Sequence, residues 1–113
     1  MKTARFYLED MLDYARKAVE FAAMEAGADR GMRELAFERC FEIIGEAARN
    51  VDPAVASALP DIEFREAVNT RNRIIHGYDY LSLSILEKTA ERDLPRMIQA
   101  WEAALADTLP DER

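Results

Sequence analysis

Apolar residues recur three and four positions apart along nearly the whole chain, and that spacing restricts it to helices. From about Thr3 to Glu25, Leu8, Met11, Leu12, Ala15, Val19 and Ala22 form one stripe of a 3.6-residue period. From about Gly31 to Asn50 the stripe is Ala36, Cys40, Ile43, Ile44 and Ala47, running on to Val51, with Ala26–Asp29 as the turn between the two helices. Asp52-Pro53 ends the second helix, because the residue before proline is pushed out of helical geometry. Residues 53–57 form a short helical turn before Leu59-Pro60-Asp61. A third helix is expected from about Ile62 to His76, capped by Gly77 in the left-handed conformation.

A fourth helix begins near Ser82 or Ser84, and Ser84 with Glu87 three residues on has capping-box spacing. Its stripe is Leu86, Ala90, Leu94, Met97, Ile98, Trp101 and Leu105, and Pro95 inside it should kink the helix or delete a hydrogen bond. The tail from Pro110 to Arg113 frays. With four glycines, four prolines and no repeat or linker in 113 residues, the fold predicted is all-α. It is a single domain over residues 1–113, an up-and-down bundle of four to five helices.

The lone Cys40 has no partner for a disulfide and sits on an apolar stripe, so it reads as a small core hydrophobe in a reducing compartment. The N-terminal segment, interrupted by Glu9, Asp10 and Asp13, carries no signal-peptide run, and no apolar stretch approaches a membrane span, so a cytoplasmic protein is expected. The formal net charge is −7. Binding to nucleic acid leans on neutralised phosphates and released counterions. A chain this acidic does not hold RNA by bulk electrostatics, and acts on it only through a locally basic site.

One stretch breaks the pattern. Phe64, Val68, Arg71, Ile75 and Tyr78 fall at core-stripe spacing, which puts a guanidinium and a phenol on an apolar face. Arg71 needs a counterion, either Glu42 or Glu46 inside the bundle or an anion from outside. His76, the only histidine, lies five residues further on, about 140° around a regular helix and roughly 7–8 Å along it. The two side chains therefore converge only if the helix unwinds near Gly77, or if a second copy supplies the complementary group. Asn72 and His76, four apart, share a face.

Arg71-Asn72-Arg73-Ile74-Ile75-His76-Gly77-Tyr78 resembles the R-x4-H-x-Y signature of the HepT-like family in the HEPN superfamily. Glu42 to Ala48 resembles that family's second recurring segment, and Asp93-Leu94-Pro95 the proline step of its last helix. The likeness spans about Phe37 to Trp101; one departure is Glu63-Phe64-Arg65, where many relatives carry a tryptophan. It implies a dimeric bundle that is the toxin of a prokaryotic toxin–antitoxin pair and cleaves RNA without a metal or cofactor. Its partners would be RNA and a nucleotidyltransferase-fold antitoxin that adds AMP to Tyr78. Arg71 and His76 would be catalytic, with Asn72, Arg73 and Tyr78 in support.

These residue types suit that chemistry. An unperturbed imidazole titrates at about 6.5 and serves as acid or base. A guanidinium fork clamps a phosphate, an amide orients a neighbour, and a tyrosine donates to phosphate or stacks on a base. The alternative is a non-catalytic module in which the same cleft binds a nucleotide or RNA end, or regulates a partner.

Overall fold

A computed structural model describes residues 2–24, 30–76 and 82–108. The 26–29 turn, the Gly77 cap, Tyr78, Tyr80 and the 110–113 tail lie outside them. The helices are α1 (Ala4–Ala23), α2 (Arg30–Arg49), α3 (Pro53–Ser57), α4 (Phe64–His76), α5 (Leu83–Lys88) and α6 (Leu94–Thr108), with a π-helical turn, Thr89–Asp93, joining the last two. No strand occurs among the described residues, and the all-helical bundle is as the spacing predicts.

Local chemistry sets the ends. Thr3 caps α1, its hydroxyl accepting the Phe6 N–H at 3.1 Å. Asp52 caps α3 by accepting the Ala54 N–H at 2.8 Å, with Pro53 at the first helical position. Ser82, and not Ser84, caps α5; its hydroxyl accepts from the Ile85 N–H at 3.3 Å. Glu87, expected to close a capping box, instead meets Arg33 of α2 at 3.1 Å, an inter-helix tie with both side chains largely covered.

The proline in the last helix is handled by a wider turn. The Leu94 N–H reaches back five residues to the Thr89 carbonyl. The extra residue makes room for Pro95, which has no N–H to offer and whose ring would collide with the carbonyl four residues earlier. The helical run continues, so the stripe Leu86, Ala90, Leu94, Trp101 and Leu105 stays buried on both sides of it.

α2 is the central element, packed against α1 on one side and α4 on the other, while α6 lies on α1. This position explains why its buried arc is wider than the predicted stripe. Phe37, Phe41 and Ala48 join Cys40, Ile44 and Ala47 in the core, whereas Ala36 and Ile43 are only half-buried. The core also takes in Leu8, Met11, Leu12, Ala15 and Ala18 of α1. Trp101 is fully buried, its indole N–H satisfied by Glu63 Oε1 at 3.0 Å.

α4 is attached differently. It has no fully buried residue, and Phe64, Ala67, Val68 and Ile74 pack half-buried against the core. The expected core position of Ile75 is corrected: its side chain is 47% exposed. α4 presents Ile74 to the bundle, and Ile75, one residue or about 100° further round, turns outward.

Gly45 of α2 permits this docking. A Cβ there would lie 2.3 Å from Arg71 Cβ and 2.6 Å from the Ala67 carbonyl oxygen, so one helix's backbone rests directly on the other. Alanine is the better helix former by about 1 kcal/mol, but its methyl would have to displace backbone. Gly45→Ala is therefore expected to lower unfolding free energy by about 1–3 kcal/mol, the usual cost of overpacking, as read by urea or thermal denaturation. Unchanged or higher stability would mean that α4 can back away freely.

Candidate active site

Arg71 is anchored at its root and along its length. Its Cβ sits over Gly45, and its Nε lies 2.9 Å from Glu46 Oε2 in an ion pair. Of the two carboxylates expected as partners, Glu46 fills the role, while Glu42 lies 3.4 Å from Arg39. Nη1 donates to Asn72 Oδ1 at 3.0 Å. The arginine side chain is only 16% exposed, so its charge is met by named acceptors, as a partly buried guanidinium requires.

The guanidinium lines a cleft of about 390 Å³ walled by α1, α2 and α4. Lys2, Phe6, Tyr7 and Asp10 form the α1 side, and Arg39, Glu42, Ile43, Glu46 and Asn50 the α2 side, while Arg71 and Ile75 close it from α4. Phe6 and Tyr7 stand edge to face at 5.5 Å, with the Lys2 ammonium 4.8 Å from the Phe6 ring centre. Lys2, Arg39 and Arg71 balance Asp10, Glu42 and Glu46. The locally basic site expected from the net charge is thus a charge-balanced cleft on an acidic molecule.

His76 is the last residue of α4 and is exposed. The helix is regular through His76, so the wide angular separation from Arg71 is kept and no unwinding before Gly77 brings the two together. His76 is absent from the cleft lining. Arg73 is half-buried on the same helix. The structure therefore joins Arg71 to Asn72 and leaves His76 at the helix end; Tyr78 lies beyond the described residues.

The remaining polar features are of other kinds. A second groove of about 310 Å³, between α4 and α6, contains Glu63, Glu66 and Asp93 and none of the motif residues. Glu38 on α2 is pushed above the usual carboxylate range, first by burial and then by Glu34 and Glu42 a turn away on either side. Its protonated form is favoured by folding, so its contribution to stability is present at low pH and fades as pH rises through its raised value. Burial likewise raises the Cys40 thiol, with Lys17 opposing, which favours an inert core thiol over a nucleophile. No group of three or more His, Cys, Asp or Glu is placed to hold a metal among the described residues. Among the same residues, no helix is long and apolar enough to cross a membrane.

The family model described as "Ribonuclease HepT-like" matches residues 8–104. The chain belongs to the HepT-like family. The match takes in α2, α4, the π turn and most of α6, so the elements that hold Arg71 all lie within the HepT-like region. A Thermococcus cleftensis protein named "Probable ribonuclease HepT" is 30% identical over 109 residues, covering 85% of this chain and 90% of its own. A Methanocaldococcus jannaschii protein provisionally named an RNase is 26% identical over 104 residues, covering 89% and 86%. A third, from Caldanaerobacter subterraneus and also provisionally named an RNase, is 28% identical over 100 residues, covering 86% and 89%. No solved structure matches the chain significantly.

The HepT-like motif was readable as sequence, and so was the need of Arg71 for a carboxylate. The α1 wall was not. Lys2, Phe6 and Tyr7 carry no motif, and the only signal was that Phe6 and Tyr7 fall off the Leu8–Met11–Leu12 stripe.

Proposed function

We propose that this chain is a metal-independent endoribonuclease, the toxin of a prokaryotic toxin–antitoxin pair, working in the cytoplasm as a homodimer. The seating of Arg71 carries the reading: a buried-stem arginine opens into a cleft on the helix that ends in His76. Membership of the HepT-like family and the RNase names of its relatives support it.

The reaction needs a base, an acid and a cation, and these residue types supply them. One His76 removes the proton of a ribose 2′-OH, and the freed oxygen attacks the adjacent phosphorus. The O2′–P bond forms and the P–O5′ bond breaks. A protonated His76 of the partner subunit gives its proton to the departing 5′-oxygen. The products are a 2′,3′-cyclic phosphate and a 5′-hydroxyl. Arg71 neutralises the charge that builds on the non-bridging oxygens, the contribution expected of a fixed cation beside a transferring phosphorus. Asn72 holds Nη1 of that arginine, and Arg73 and Tyr78 support the RNA strand. Each proton transfer is assigned to a side chain, which is the ground for proposing that no metal takes part.

The same geometry supports dimerisation. One copy has a single histidine, well round the helix from its own arginine, whereas the reaction uses two proton-transfer groups. Phe6 and Ile75, both on the cleft, are 40% and 47% exposed, apolar surface suited to cover by a second copy. A two-fold axis beside α4 would set each His76 against the other copy's Arg71. Control is proposed to come from a nucleotidyltransferase-fold antitoxin. The Tyr78 phenolic oxygen would attack the α-phosphorus of ATP, with pyrophosphate leaving, and AMP on Tyr78 would block the site.

Two outcomes are expected. Expression of the wild type should arrest growth of a bacterial host and degrade its RNA, while Arg71→Ala and His76→Ala, equally soluble, should do neither. Wild type and variants all harmless, with Tyr78 shown unmodified by mass spectrometry, would overturn the ribonuclease reading. Ile75→Glu should yield a helical monomer by sedimentation that has lost at least 10-fold in cleavage rate. A fully active monomer would remove the two-copy site.

A further inference from the structure

We infer that Glu46 is a positioning residue for Arg71, turning the arginine's Nη end toward the phosphate; this rests on the ribonuclease reading above. Gly45 and Glu46, neighbours on α2, act on the two ends of one side chain. Gly45 lets the Arg71 Cβ descend onto the α2 backbone, and the Glu46 carboxylate pairs with the guanidinium, Oε2 lying 2.9 Å from Nε. Asn72 takes one Nη1 hydrogen. The fork is thereby fixed on its Nε side, and the Nη end is what remains for two parallel hydrogen bonds to phosphate oxygens, the geometry in which arginine surpasses lysine.

Glu46 is held in turn. Its backbone carbonyl accepts from Asn50 Nδ2 at 2.8 Å, and its side chain lies 3.9 Å from Arg49. Both are surface contacts on the α2 face, so replacing the carboxylate leaves the core untouched.

A carboxylate in a phosphate cleft has two opposed effects, and their sizes decide the sign. It repels the substrate's charge, but the Glu46 side chain is 47% exposed. Screening at such a site limits the penalty to about fivefold in binding. It also fixes the arginine, and a misplacement of about 1 Å at a reacting centre costs roughly 100-fold in rate. Fixing the arginine outweighs repelling the RNA. Removal of Glu46 should therefore slow the reaction even though it removes a repulsive charge.

The two effects separate in two variants of the full-length protein. Glu46→Gln keeps a side chain of the same length with a polar oxygen beside Nε and loses the charge, whereas Glu46→Ala loses both. With an RNA oligonucleotide as substrate, Glu46→Ala should lower kcat about 10- to 100-fold, and Glu46→Gln should restore most of it with a lower KM. In ¹H–¹⁵N spectra the Arg71 Nε–H resonance, assigned by its loss in Arg71→Lys, should persist in Glu46→Gln and broaden in Glu46→Ala. Wild-type kcat in Glu46→Ala, or equal losses in both variants, would overturn the inference while leaving the nuclease in place. An Arg71 Nε–H resonance indifferent to Glu46→Ala would overturn it too. A wild type inert toward RNA, but with that resonance still dependent on Glu46, would instead remove the ribonuclease reading and leave the arginine seat standing.

Discussion

The direct contact between α2 and α4 at Gly45 is the constraint on which the rest depends. α4 buries no side chain completely, so it lacks the deep apolar anchors that hold α1, α2 and α6. It is held instead by close backbone approach, with Ala67 and Arg71 resting where a Cβ on Gly45 would stand. Close approach makes a short ion pair possible between the arginine and the next residue of α2. The same feature that docks the helix also sets where its cation sits. A larger residue at 45 would disturb fold and site together, which is unusual for a glycine in the middle of a helix.

On the proposed ribonuclease reading, the shallow seat of α4 has a functional consequence. A deeply buried Arg71 would need a permanent, fully enclosed counterion and could not meet a phosphate, because desolvated ion pairs open only at high cost. A fully exposed one would keep its rotamer freedom and position nothing. The observed state lies between, with a covered stem, one carboxylate and one amide as acceptors, and an open cleft at the end. The charge balance of that cleft on an acidic protein fits recognition of one phosphate more readily than tracking along a nucleic-acid strand, which draws on a broad basic face.

The helical class and most of the core were legible from spacing, because apolar periodicity reports burial directly, and the break at Asp52-Pro53 was legible from the proline. The octapeptide marked the candidate site for a different reason, as a set of residue types suited to one chemistry. What spacing could not supply was rotation of one helix against another. Ile75 sits at stripe spacing yet turns outward, and Phe37 and Phe41 lie beside the predicted stripe of α2 yet are buried, because α2 is clasped from two sides. Sequence likewise offered Glu42 and Glu46 as equals, one turn apart on α2; only the height at which Arg71 crosses α2 selects between them. Pro95 was recognised as a disruption, but whether a kink or a π turn absorbs it depends on packing against the bundle.

The central claim is that a ribose 2′-oxygen is the nucleophile and that Arg71 and His76 serve that step. It is tested most directly with a short RNA carrying a single 2′-deoxy substitution on the 5′ side of a mapped cleavage site. Cleavage should cease at that bond alone, and the unmodified strand should yield 2′,3′-cyclic phosphate and 5′-hydroxyl ends. Undiminished cutting of the 2′-deoxy bond, or 5′-phosphate ends, would mean that water is the attacking group and would contradict the account.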